Sequence, residues 1–282
     1  MAGMTNAGPL RAKFDKGGAF LTLKKKIMGF WSERPCGVAF TTCRWGTREF
    51  FREIERHRYK MYPEFKTLFE SIDWFGKRIL EVGCGVGTDS MYITRLGGDV
   101  TAVDLAPNAV KLTKKGFRLM ALDGNQIICD AENLPLKKES FDIVYSLGVL
   151  HHTERPRKAF REIYRVLKGG GEALVILYNR ISWKYIYVIV ISGILRGRLL
   201  QKTPEQLITQ ATEGKGNPLT RMFSRGEVYQ QFSHFDEVKT AAFYFDFPEY
   251  IHPLLGKYFP RKLRNLLGRN FGSFREVFAY KS

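Results

Sequence analysis

The chain has 282 residues, with 45 Lys or Arg against 28 Asp or Glu and a formal net charge of +17. Hydrophobic residues make up 44%, charged residues 26% and aromatic residues 14%, a balance that excludes wholesale disorder and fits one large α/β domain with additions, or two small domains. Four scattered cysteines, Cys36, Cys43, Cys84 and Cys129, form no CxxC pair, which excludes a disulfide scaffold and a zinc ribbon and fits reduced thiols in a cytoplasmic protein.

The charge is uneven. Residues 1–78 carry a balance of +8, residues 79–178 one of +1, and residues 179–282 one of +8. Basic flanks over a site would favour an anionic substrate or surface; solubility alone is the other reading. The first residues lack an apolar stretch, so no signal peptide is expected. Residues 1–29 read as a mobile or loosely helical start, with Lys24-Lys25-Lys26 as a solvated basic run.

From Arg44 to Phe75 the apolar spacing is helical, and Pro63 starts a second helix or kinks the first. Then come short apolar runs separated by glycine-rich turns: strands at 78–82, 99–105, 125–129, 141–147 and 172–178, and helices at 88–96, 107–116 and 157–167, the last stopped by Gly169-Gly170-Gly171. Alternating strands and helices predict a doubly wound parallel sheet, with the ligand at the carboxyl ends of the strands. Beyond Tyr178 the alternation breaks. Residues 181–200 read as one long apolar helix, buried or touching another apolar surface. Residues 203–217 read as a polar loop. Residues 224–232 read as a helix opened by a capping box at Ser224 and Glu227. Residues 237–245 and 273–280 alternate like strands, around an insertion at 248–269 rich in leucine, aromatic and basic residues. The apolar run Tyr185–Leu195 is too short to span a bilayer, which needs about 20 residues. Simple packing is the first reading of the apolar helix and of the basic segment 257–269; a dimer interface, a lipid-substrate tunnel or membrane contact stays open for the helix, and contact with an anionic surface for the basic segment.

The strongest chemical signal is Glu81-Val82-Gly83-Cys84-Gly85-Val86-Gly87 between the first strand and the following helix, with Asp104 closing the next strand. Glycines there allow a tight turn and close ligand approach. A carboxylate at Asp104 can accept from both hydroxyls of a ribose. Thr88 stands where the dinucleotide fingerprint has its third glycine, and Glu81 would repel a pyrophosphate, so a ligand with a cationic amino-acid end fits better. Asp130, at the third strand's end, can accept from an exocyclic amine. No metal-ligand cluster is visible, and no metal is expected.

These residues bring a resemblance into view. The stretches ILEVGCGVGTD, VTAVDLAPNAV, CDAENLPLKKESFDIVYSLGVLHH and FREIYRVLKGGGEALVILY resemble, in order across residues 79–178, a class I S-adenosylmethionine-dependent methyltransferase of the UbiE-like family. The resemblance implies a Rossmann-like seven-stranded methyltransferase sheet. An N-terminal helical cap would fill residues 1–76, the cofactor-binding core 77–180, and C-terminal helical insertions with the last two strands 181–282. It implies S-adenosyl-L-methionine as cofactor, with Gly83, Gly85 and Gly87 beside its methionyl part and Glu81 beneath them. Asp89 would lie near its amino group, Asp104 on the ribose and Leu105 against the adenine. Asp130 and Ala131 would read the adenine edge, and Ser146 and Leu147 line the sulfonium side.

His151 and His152 follow the fourth strand, where donor and acceptor would meet. His151 is the better placed to act as a general base; the other reading is structural packing. Glu55, Arg58, Tyr59 and Tyr62 share one face of the cap helix and are candidates, with His152, for binding the acceptor. Trp31 and Trp45 read as lid or core residues. The function that follows is methyl transfer to a small molecule, by O-methylation of an acidic or lipid-linked metabolite. The alternatives are an RNA methyltransferase, a module that only binds the cofactor, and an enzyme using the cofactor for a different displacement.

Overall fold

The short apolar runs of the middle third form strands β1 (Arg78–Val82), β2 (Asp99–Asp104), β3 (Asn125–Ile128), β4 (Phe141–Leu147) and β5 (Leu167–Tyr178) in a computed structural model that describes residues 22–213, 216–245 and 260–282. These five strands pair in parallel. Two later strands, β6 (Glu237–Phe243) and β7 (Phe274–Tyr280), extend them into a seven-stranded sheet of order β3-β2-β1-β4-β5-β7-β6, with β7 antiparallel to both neighbours. The strand order reverses between β1 and β4, so a crevice opens at their carboxyl ends.

The described helices are α1 (Leu23–Glu33), α2 (Arg48–Met61), α3 (Pro63–Ser71), α4 (Thr88–Arg95), α5 (Pro107–Met120), α6 (Pro156–Val166), α7 (Trp183–Tyr187), α8 (Pro204–Thr212), α9 (Arg225–Gln231) and α10 (Arg261–Phe271). Proline occupies the first turn of α3, α5, α6 and α8, where its missing N–H costs nothing. Ser224 and Glu227 form the capping box that their spacing predicts.

Four segments differ from the sequence expectations. Helix α5 runs four residues past Gly116, because that glycine is a packing site and not a stop: a Cβ there would press on Met91 and Phe51. Strand β5 begins at Leu167 and passes through the triple glycine, which absorbs an irregularity in register between Phe141 and Ile143 of β4. The stretch 181–200 is no single helix. It comprises α7, a π-helical segment Val188–Leu195 and, after left-handed Gly197, a 3-10 turn Arg198–Leu200. Its β-branched run crowds an α-helical interior. The polar stretch after it contains α8, opened by a capping box of Thr203 and Gln206. Residues 1–21, residues 214–215 and residues 246–259, which include most of the basic insertion, lie outside the described residues.

The sheet buries both faces. On one, Phe160, Ile163, Val228 and Phe232 pack over Leu80 and Val144. On the other, Phe65, Phe69 and Trp74 of the cap region pack over Ile79 and Tyr145. Each such ring contributes about 2–3 kcal/mol as an upper estimate from area burial. Among the described residues no helix is long and apolar enough to cross a membrane.

Asn179, fully buried just past β5, ties the substrate side to the sheet. Its amide donates to the carbonyls of Ile181 (2.8 Å) and Gly272 (2.9 Å), and its oxygen accepts from Ile181 N–H (3.2 Å) and the Arg275 guanidinium (3.1 Å). Replacing it strands a buried cation and two carbonyls. Asn179→Ala is expected to lower the unfolding free energy by about 2–4 kcal/mol, read as a lower urea midpoint at unchanged slope; an unchanged midpoint contradicts this role.

Candidate active site

The turn after β1 is set by backbone geometry that only glycine takes without strain. Gly83, Gly85 and Gly87 all lie at positive φ (86°, 55° and 78°). Gly83 N–H and Cys84 N–H both donate to Val103 O (2.7 and 3.0 Å), pinning the turn to β2. A Cβ on Gly83 would overlap the Val149 side chain, whereas Gly148 faces open space. Gly83, Gly85 and Gly148 line a cavity of about 370 Å³ at the carboxyl ends of the strands, while Gly87 sits behind them as the N-cap of α4.

Asp104 ends β2 at the cavity wall. Its two oxygens accept from Gly85 N–H (2.9 Å) and Ala106 N–H (2.8 Å), which orient the carboxylate. Burial raises its pKa, with those two N–H donors opposing. Glu81 lies beneath the loop, buried, accepting from the Ser90 hydroxyl. Burial, followed by the charge of Asp89, pushes its pKa up. Leu105, Asp130, Ala131 and Leu147 line the same cavity. Ser146 does not: its hydroxyl is turned back onto Val82 O (2.9 Å).

Lys24 is no solvated residue. From α1 it reaches across the cavity to Asp130 (2.5 Å) and Glu132 (2.9 Å). Burial works against its charge, but the contacts to Asp130 and Glu132 outweigh it and raise the pKa. Glu132 is also held by Arg155, through backbone N–H (2.9 Å) and Nε (3.0 Å). Helix α1 is thereby fastened over the cavity, and Trp31 lies tilted against His152, with ring centroids 5.0 Å apart. Trp45 is half exposed, rests against Phe50 and does not line the cavity.

The cap helix α2 spends its polar face on the protein. Arg58 donates to Asp89 through Nε (3.2 Å) and an Nη (2.6 Å), and Tyr59 (3.1 Å) and Tyr145 (2.9 Å) donate to the same carboxylate. Burial alone would lower the Arg58 pKa, but the Asp89 charge beside it raises it. Arg58 and Tyr62 line the cavity; Tyr59 does not. Glu55 is turned away and pairs with Arg95 (2.6 Å). Of the four residues on that face, therefore, two reach the cavity.

The histidine pair divides by its 3-10 turn, Leu150–His152. His151 is fully buried behind the cavity, its ring stacked on Tyr178 with centroids 4.0 Å apart and both nitrogens without a hydrogen-bond partner. His152 is the one that lines the cavity. Its Nδ1 lies 2.7 Å from Leu219 O. A carbonyl only accepts, so Nδ1 carries the proton and Nε2 keeps its lone pair. That Nε2 has no hydrogen-bond partner and stands 3.8 Å from the Glu213 carboxylate, to which the Tyr178 hydroxyl donates. Sequence reasoning missed Tyr178 and Glu213. The first closes β5 at the carboxyl edge where ligands bind; the second follows α8, whose Thr203/Gln206 cap carries the same signal as Ser224/Glu227.

Comparison with known proteins agrees with this geometry. Residues 80–175 match the family described as Methyltransferase domain. Residues 80–175 carry a methyltransferase domain, and the sheet has the fold of S-adenosylmethionine-dependent methyltransferases. The chain is 41% identical over 121 residues to the phthiotriol/phenolphthiotriol dimycocerosates methyltransferase of Mycobacterium tuberculosis, covering 42% of this chain and 43% of that one. It is 33% identical over 120 residues to the ubiquinone biosynthesis O-methyltransferase of Xanthomonas oryzae pv. oryzae, covering 42% and 50%. The matches thus span half or less of the length of these relatives. A crystal structure of a methyltransferase from Thermotoga maritima, described as a possible histamine N-methyltransferase, superposes with a TM-score of 0.54 at 20% identity, covering 91% of this chain and all of that one, a likeness of fold.

The cofactor of this domain is S-adenosylmethionine, and the residues present fit it. The glycine turn leaves backbone exposed, Gly148 leaves room that a side chain would fill, and Glu81 and Asp104 offer carboxylate oxygens to a cationic, hydroxyl-bearing ligand. Among the described residues no group of three or more metal-ligating side chains occurs.

Two outcomes are expected. Gly83→Ala combines a strained φ with the Val149 overlap, so it should weaken S-adenosylhomocysteine binding by at least about tenfold in calorimetry; binding within twofold of wild type contradicts the close-approach geometry. The second concerns pH. Burial holds the His151 pKa well below its ordinary 6.5, and the neighbouring His152 adds to the shift. Below that value the unfolded chain takes up a proton that the folded chain refuses. The stability is therefore complete above about pH 6.5 and is lost as pH falls, by up to about 1.4 kcal/mol per pH unit for this group. His151→Phe, which keeps the ring stack, should flatten the slope of unfolding free energy between pH 6.5 and 5; an equal slope contradicts it.

Proposed function

We propose that the protein transfers the methyl group of S-adenosylmethionine to a hydroxyl of a small, largely apolar acceptor of lipid-linked type. The observation that carries this reading is that the glycine turn, Asp104 and His152 line one cavity. The names of the two relatives, one acting on phthiotriol lipids and one in ubiquinone biosynthesis as an O-methyltransferase, support the acceptor class. So does the apolar part of the cavity wall, which includes Ile27, Met28, Phe65 and Phe274.

When bound, the cofactor supplies an electrophilic methyl on a sulfonium. In this reading Asp104 accepts from the two ribose hydroxyls, and Asp130 with Ala131 lies along the adenine edge. Glu81 faces the cationic end, and Leu147 borders the reacting centre. Helix α1, fastened by Lys24, excludes water from the cavity, which favours attack in line over hydrolysis. His152 takes the acceptor's proton on Nε2. Burial lowers its pKa while Glu213 and the Leu219 carbonyl oppose that effect, so the imidazole is neutral at neutral pH and ready to accept. The Glu213 carboxylate then stabilises the imidazolium.

The experiment is mass spectrometry of purified protein with S-adenosylmethionine and a lipid extract, with and without RNase. Extract-dependent S-adenosylhomocysteine and a methylated product, both resistant to RNase, are expected. Loss of the signal on RNase treatment, or a cofactor-derived product other than S-adenosylhomocysteine, overturns the reading. His152→Gln should lower kcat by about 10²–10⁴-fold while S-adenosylhomocysteine affinity stays within about twofold; unchanged kcat removes His152 as the base.

A further inference from the structure

The outer side of the segment after β5 differs from the rest of the surface. Ile181, Ile186, Ile194, Leu195 and Leu200 are exposed, Leu195 to 71% and Leu200 to 91%. They stand among Arg180, Lys184, Arg196, Arg198 and Lys202, with no acidic residue from 180 to 202. Arg180 is held by Glu227 (2.9 Å). Helix α10 repeats the pattern, with Leu263, Leu266 and Phe271 exposed among Lys262, Arg264 and Arg269. The two elements are neighbours. Trp183 of α7 meets the Phe245 ring at 6.3 Å between centroids, Gly268 of α10 packs on Phe245, and Asn179 bonds the carbonyl of Gly272.

We propose that this shared face is a docking surface for an anionic phospholipid bilayer. Aliphatic tips flanked by basic residues, in a segment that itself holds no acidic residue, match the boundary between acyl chains and negative headgroups. The same features disfavour other occupants. A second copy of this chain would bring like charges together. A nucleic acid is gripped by basic residues interleaved with stacking aromatics, whereas the exposed apolar tips of residues 181–200 are Ile, Leu and Val. Ser182 and Lys184, at the root of α7, line the cavity. The surface that meets lipid is thus the outer side of the cavity wall, and a lipid-linked acceptor would have a short path inward. That last step rests on the proposed acceptor class; the bilayer contact does not.

The test is flotation of the full chain with vesicles of phosphatidylcholine alone or with about one third phosphatidylglycerol, at near-physiological salt. Binding at least about tenfold stronger to the anionic vesicles is expected, with a loss of about tenfold in Leu195→Asp/Leu200→Asp and in Arg196→Glu/Arg198→Glu. Both variants should bind S-adenosylhomocysteine like wild type, which shows that they fold. No binding to anionic vesicles overturns the proposal, and so does binding that the aspartates leave intact. A concentration-dependent dimer lost in Leu195→Asp/Leu200→Asp, without vesicle binding, makes the face a self-interface instead. Displacement from vesicles by a short RNA, with the aspartates without effect, makes it a nucleic-acid surface. Vesicle binding is read without acceptor or turnover, so its failure is distinct from failure of the methyl-transfer reading.

Discussion

The carboxylate of Asp89 gathers four hydrogen bonds from two other elements, two from Arg58 and one from Tyr59 on the cap helix α2, and one from Tyr145 on strand β4. It sits in the first turn of α4, where the helix dipole favours an anion, directly after the glycine turn. The cap, the sheet and the cofactor turn therefore meet on one ion pair. Arg58 and Asp89 are both largely buried, 17% and 7% exposed at the side chain. Such a pair adds little over an apolar substitute, but losing one partner costs about 3–5 kcal/mol because the other is left charged and desolvated. Its consequence is geometric: it holds the cap helix α2 against the turn that opens α4.

That constraint sorts the polar groups of the cavity by role. On the cofactor side lie carboxylates, with Asp104 oriented by two backbone donors and Glu81 buried beneath the turn. They suit a ligand that brings positive charge and hydroxyls. On the other side lie neutral groups, a histidine with a free Nε2 and a tyrosine, with one carboxylate, Glu213, between them. They suit a ligand that brings a weakly acidic proton. Helix α1 covers the junction, and Lys24 secures it to the carboxylates at the end of β3.

Local signals in the sequence were enough for the sheet, the glycine turn and the carboxylate at the end of β2. Glycines that need positive φ, Asp104 at a strand end and the Ser224 capping box all declare themselves within a few residues. Long-range pairing does not. Arg58 and Asp89 lie 31 residues apart, and nothing in the spacing of Glu55, Arg58, Tyr59 and Tyr62 tells which of them faces the cavity and which meets Arg95. Adjacent residues are equally opaque: only the 3-10 turn decides that His152 lines the cavity while His151 packs behind Tyr178. Glu213 was hidden for another reason. A run of polar residues reads as loop, although Thr203, Pro204 and Gln206 spell a helix start. The apolar stretch after Tyr178 misled in the opposite sense, since hydrophobicity implied burial and the fold leaves its tips outside.

The central claim, that one ion pair holds the cap over the cofactor turn, is tested most directly by hydrogen–deuterium exchange of wild type and Asp89→Asn. Exchange across Arg48–Met61 should quicken by about tenfold or more in the variant, the signature of local opening, while β1, β2 and β4 keep their protection. Equal protection of the cap in both proteins would contradict the claim, and would mean that apolar packing by Phe65, Phe69 and Trp74 holds the roof without Asp89.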